Sequence, residues 1–125
     1  MAIGYIDGFL VPVATADRET YRAHEAKWWP LFRDMGALSI GVGWGDDVPP
    51  GKQTDFLRAV DLKEGETVVF CWMTWPDKAT RDAAYARMMT LDPATLGEMP
   101  FDGKRMVYGG FVPLLLESAQ NSEGV

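Results

Sequence analysis

This chain has few side chains suited to chemistry, and each is easy to find. It holds one histidine, His24, and one cysteine, Cys71. His24 falls between Tyr21 and Trp28 at spacings of three and four, which put all three on one face of a helix turned towards a sheet. Imidazole titrates near neutrality, so in a cavity His24 would act as a general base or a ligand contact. The other reading is a part-buried histidine bonded to a backbone carbonyl or a carboxylate. Cys71 lies in the apolar run Val68 to Met73, where a small buried hydrophobe is expected rather than a nucleophile. One His and one Cys are too few soft ligands for a metal, and the carboxylates do not cluster, so no metal and no cofactor are expected.

Arg58 would share a strand face with Phe56, Val60 and Leu62, and Asp7 would share one with Tyr5, Phe9 and Val11. Charges on apolar faces need partners, because burying either alone costs several kcal/mol. The two are expected to serve each other inside a dimer; alternatively, Arg58 or Arg105 would hold a ligand carboxylate. Five tryptophans is a generous supply, and an apolar pocket between helices and sheet would draw on Trp28, Trp44, Trp72 and Tyr108. Gly41-Val42-Gly43-Trp44-Gly45 resembles half of a phosphate loop, but Asp46 and Asp47 follow where a helix N-terminus should begin. Glycines at period two instead leave one strand face bare, for a closely packed helix or for a cavity.

The elements that position these residues follow from periodicity and punctuation. Tyr5–Val13 alternates as a first strand. Thr15 or Asp17 caps a helix over Arg18–Met35, with Gly36 as terminator and a kink expected ahead of Pro30. Leu38–Gly45 is the second strand. Thr54–Leu62 and Thr67–Trp75 read as further strands joined through Lys63–Glu66. Pro76-Asp77 opens a helix over Lys78–Thr90, and Arg105–Leu114 is the last strand. Of the strands so read, four make the ferredoxin-like βαββαβ arrangement, an α+β fold with one four-stranded antiparallel sheet. Residues 1–116 form a single domain and 117–125 a flexible tail.

At 125 residues and 47% hydrophobic composition the chain is one globular domain. The net charge of −6 disfavours a phosphate-tracking surface, so no nucleic-acid partner is expected. No window is long and apolar enough for a membrane span, and a cytoplasmic location is expected. The strands are apolar on both faces: Val68, Phe70 and Trp72 oppose Val69, Cys71, Met73 and Trp75, and Met106, Tyr108 and Val112 oppose Val107 and Phe111. Two helices cover only one face. The other, roughly 400 Å² by strand spacing, matches the largest patch usual on a monomer. Burying it would give roughly 10 kcal/mol gross per partner, so a homodimer through the sheet faces is expected.

Tyr5-Ile6-Asp7-Gly8-Phe9, Gly36-Ala37-Leu38, Trp44-Gly45-Asp46-Asp47-Val48-Pro49, Thr54-Asp55-Phe56, Val68-Val69-Phe70, Trp72 and the closing MPFDGKRMVYGGF resemble the YbaA-like proteins, domain-of-unknown-function family 1428. The resemblance runs from about Tyr5 to Pro113. It implies a dimeric α+β barrel, a fold similar to that of antibiotic-biosynthesis monooxygenases, haem-degrading enzymes and small stress-response proteins. The family carries no established activity, so no catalytic residue passes to this chain. The leading expectation is a homodimer binding a small apolar or aromatic metabolite, oriented by His24, Arg58 or Tyr108. By fold analogy, an enzyme of this kind would oxidise or rearrange an activated aromatic without a cofactor, with His24 as proton acceptor. The alternative is a non-catalytic stress, regulatory or structural module with a barrel filled by side chains.

Overall fold

A computed structural model describes residues 2–92 and 99–119. Its sheet is built from β1 (Tyr5–Ala14), β2 (Ser39–Trp44), β3 (Glu66–Trp75) and β4 (Val107–Phe111), in the order β2-β3-β1-β4 with every neighbouring pair antiparallel. Helices α1 (Arg18–Asp34) and α3 (Lys78–Met88) follow β1 and β3, and a short α2 (Phe56–Ala59) lies in the β2–β3 connection. This is the ferredoxin-like α+β fold. Among the described residues no helix is long and apolar enough to cross a membrane.

Local chemistry sets the boundaries. α1 stops where Gly36 takes a φ of +112°, open to glycine at little cost, and a Cβ there would also strike Thr80. It runs unbroken through Pro30. The expected caps are absent: neither Thr15 nor Asp17 caps it by side chain, and Thr15 Oγ1 instead bonds Thr67 Oγ1 at 2.7 Å. α3 begins at Asp77, whose carboxylate accepts the Thr80 N–H at 2.7 Å.

Thr54–Leu62 is not a strand. Asp55 accepts the N–H groups of Arg58 and Gly51 at 2.7 and 2.9 Å, which closes a turn and starts α2. Asp61 then takes a φ of +48°, and the connection reaches β3 without joining the sheet. An aspartate three residues ahead of the N–H it caps outweighed a weak alternation.

Register sorts the two faces. Tyr5, Asp7, Phe9, Val11 and Val13 share a side with Trp75, Met73, Cys71 and Val69, and this side carries α1 and α3. Two clusters form there, one around Trp75 with Phe32 and Tyr85, the other around Val11, Tyr21, Val69 and Cys71. The opposite side shows Phe70 at 47% exposure, Trp72 at 40% and Phe111 at 59%. One corner of it is covered, where Phe56 of α2 meets Phe70 edge-on at 6.4 Å. At Gly41 the bare strip on β2 is filled from within the sheet: the Trp72 indole lies across that glycine, its cross-strand partner, where any Cβ would collide. Further along the strip, Gly43 and Gly45 line a pocket with Trp44, Phe56 of α2, Val68 and Phe70.

Candidate functional site

Between the two core clusters, under α1 and α3, lies a cavity of about 250 Å³. Phe9 and Val11 of β1, Cys71 and Met73 of β3, and Phe32 of α1 contribute to its walls, with Phe101 and Met106 from the segment before β4. Four residues on one stripe of α1 reach it: Tyr21, His24, Glu25 and Trp28. They stand at i, i+3, i+4 and i+7, the helical spacing that aligns side chains along one face.

These four side chains form a short polar line in an apolar wall. Trp28 Nε1 donates to His24 Nε2 at 3.2 Å, so Nε2 must carry its lone pair and a neutral ring holds its proton on Nδ1. Nδ1 is buried without a hydrogen-bond partner, 3.7 Å from Glu25 Oε1. That gap is too long for a hydrogen bond. Phe101 stands edge-on to both Tyr21 and His24, at 5.8 and 6.5 Å. The Tyr21 hydroxyl lies 3.3 Å from Cys71 Sγ. Burial, then the neighbouring Cys71 and Glu25, pushes the Tyr21 phenol far above its ordinary range. Burial pushes the Cys71 thiol up to about 11, so it stays a thiol and not a nucleophile at neutral pH.

A second polar cluster lies on the same sheet face, nearer α3. Asp7 is 1% exposed and accepts from Trp75 Nε1 at 2.9 Å, Tyr85 Oη at 2.7 Å, and Arg81 Nε and Nη2 at 3.1 and 2.9 Å. Arg81 also stacks over the rings of Tyr5 and Tyr85, 5.2 and 4.7 Å from their centroids. The partner expected for Asp7, Arg58 across a dimer, is thus replaced by Arg81 of its own chain.

The structure brings only some of the sequence-derived candidates to the cavity. His24 and Trp28 are in its wall, with both His24 nitrogens turned along the helix to Glu25 and Trp28. Trp72 contributes to the lining, yet its indole lies over Gly41. Arg58 is half exposed on α2 and reaches only Asp55, at 3.4 Å. Arg105 is committed to Glu66 through two 2.7 Å bonds and to Asp102 at 3.0 Å. Trp44 sits under Arg18, 5.6 Å from its guanidinium, and Tyr108 is 71% exposed on edge strand β4. None of these last four lines the cavity. Glu25 and the polar ends of Tyr21 and Cys71 are additions. Their sequence signal was the four-residue step from Tyr21 to Glu25 beside the only histidine. Among the described residues no three His, Cys, Asp or Glu side chains gather as a metal site.

The chain resembles known proteins at two levels. Solved structures share its fold at low identity: a Bacillus cereus protein provisionally named an antibiotic biosynthesis monooxygenase (12% identical, TM-score 0.50, covering 94% of this chain and all of that one). A dimeric ferredoxin-like protein from an uncultured marine organism is similar too (11% identical, TM-score 0.54, covering 93% and 99%). At the sequence level, YbaA of Escherichia coli strain K12, named as uncharacterised, is 51% identical over 116 residues, or 90% of this chain and 98% of its own. YbaA of Shigella flexneri matches to the same extent. The model of the family described as protein of unknown function (DUF1428) matches residues 4–103. Matched by that model over most of its length, the chain belongs to the DUF1428 family.

Proposed function

We propose that the protein is a homodimer, joined through the open sheet face, that binds one small apolar or aromatic molecule per subunit in the cavity under α1. The cavity carries the proposal. A half-open space of about 250 Å³ walled by aromatic, aliphatic and methionine side chains is the concave, largely apolar kind of site that small molecules favour. A cavity of roughly 150 Å³ takes benzene, so one or two fused rings suit this one. The aromatic walls favour planar ligands, and their few polar atoms gather on one helix stripe, the usual arrangement for fixing orientation in an apolar site. The barrel filled by side chains, as a non-catalytic module would have it, fits this cavity poorly.

The dimer is supported by Phe70, Trp72, Val107 and Phe111, exposed on the uncovered face, and by Val112 and Leu114, 78% and 100% exposed just beyond β4. The dimeric ferredoxin-like protein of similar fold agrees with it. Cofactor-independent oxidation of an activated aromatic remains an extension by analogy with the similar Bacillus cereus protein. The test is a panel of aromatic compounds screened by thermal shift, with sedimentation at micromolar concentration. The proposal expects a dimer whose Tm rises with at least one planar aromatic, and a monomer for Phe70→Lys. A wild-type monomer would remove the dimer, and an unresponsive panel would remove the ligand site.

A further inference from the structure

The polar atoms of the cavity wall are unequally occupied. The Tyr85 hydroxyl is spent on Asp7, the Trp28 N–H on His24, and the Tyr21 hydroxyl and Cys71 thiol pair with each other. The Glu25 carboxylate, 23% exposed, draws on the Tyr21 hydroxyl and keeps further acceptor capacity, with the unpartnered Nδ1–H of His24 beside it at 3.7 Å. Among the described residues neither Lys nor Arg lines the space. An anionic ligand would therefore meet a carboxylate in an apolar cavity with no cation among the lining residues to offset it.

Resting on the ligand-site reading above, we infer that the cavity selects neutral aromatic molecules carrying a phenolic hydroxyl, which donates to Glu25. A hydroxyl suits the wall better than a ring N–H, because its oxygen also accepts from the neighbouring Tyr21 hydroxyl or Cys71 thiol. A ligand without it would displace water from the part-buried Glu25 carboxylate and offer no donor in return, and sites that hydrogen-bond a ligand hydroxyl discriminate on that ground more sharply than apolar pockets do.

The test uses the whole protein and four matched compounds in isothermal titration: naphthalene, 2-naphthol, 2-methoxynaphthalene and 2-naphthoate. The expected order places 2-naphthol at least ~10-fold tighter than naphthalene and 2-methoxynaphthalene, with 2-naphthoate weakest. Glu25→Leu should bring 2-naphthol down to the affinity of naphthalene. Equal binding of 2-naphthol and naphthalene to the wild type overturns the hydroxyl selection and leaves the ligand site standing. A preference that survives Glu25→Leu overturns the role of Glu25. Failure of all four compounds to bind overturns both readings. If Glu25→Leu does not fold, the wild-type ratio of 2-naphthol to 2-methoxynaphthalene decides, since only the first can donate.

Discussion

Asp7 on β1 and His24 on α1 lie on the same side of one sheet, and their surroundings are opposite. Asp7 accepts from four N–H and O–H groups on three side chains, a guanidinium among them, and has almost no contact with solvent. His24 has one nitrogen bonded and the other buried without a partner, beside a carboxylate too far to reach it. A saturated network fixes architecture: Asp7 ties β1 to Trp75 of β3 and to Arg81 and Tyr85 of α3, so one wall of the cavity cannot drift. An unsatisfied pair next to empty space has the opposite character. It is costly in the free protein and is relieved when something enters.

Breaking the saturated side should produce the largest effect. Asp7→Leu leaves Arg81 without its carboxylate and strips Trp75 and Tyr85 of their acceptor, so it should cost about 3–5 kcal/mol in urea unfolding. A loss below about 1 kcal/mol would show that the network is ornamental. Away from both clusters, Arg105 clamps Glu66 with two bonds and holds its carboxyl down at about 2, against 4.5 unperturbed. A carboxyl lowered on folding stabilises above its unfolded value and loses that contribution as pH falls. The urea midpoint should therefore decline between about pH 4.5 and 2, and Glu66→Gln should flatten that decline. An unchanged slope in the variant would remove the clamp from the account.

Glu25→Leu sharpens the contrast from the other side. Removing a poorly partnered, partly buried carboxylate should change stability by no more than about 0.5 kcal/mol, or raise it. A loss approaching that of Asp7→Leu would mean that the two clusters do the same work. The smallest effect concerns Cys71. With its thiol pushed up to about 11 inside the folded chain, it should resist iodoacetamide at pH 8 until denaturant is added. Rapid labelling of the native protein would contradict its burial.

This contrast was only half visible in the residue order. The βαββαβ order, the helix end at Gly36 and the two apolar faces were legible because each rests on local periodicity or a single punctuating residue. Thr54–Leu62 was misread because Asp55 acts through a backbone cap, which alternation of side chains does not record. The partner of Asp7 was hidden for a different reason: Arg81 is 74 positions away, and the register that brings them together exists only once β1, β3 and α3 have assembled. His24 and Trp28 were legible as one stripe. Glu25 was not, since a glutamate beside a histidine on an amphipathic helix reads as solvated surface. Gly41 was misjudged because the group covering it comes from the adjacent strand.

Native mass spectrometry of the protein purified gently from its host tests the ligand-site claim most directly, with Val11→Phe, which fills the cavity from β1, as control. The account predicts a dimer carrying one reproducible small extra mass per subunit in the wild type and none in the variant. A wild-type dimer of bare polypeptide mass, whose Tm no aromatic compound shifts, would contradict it.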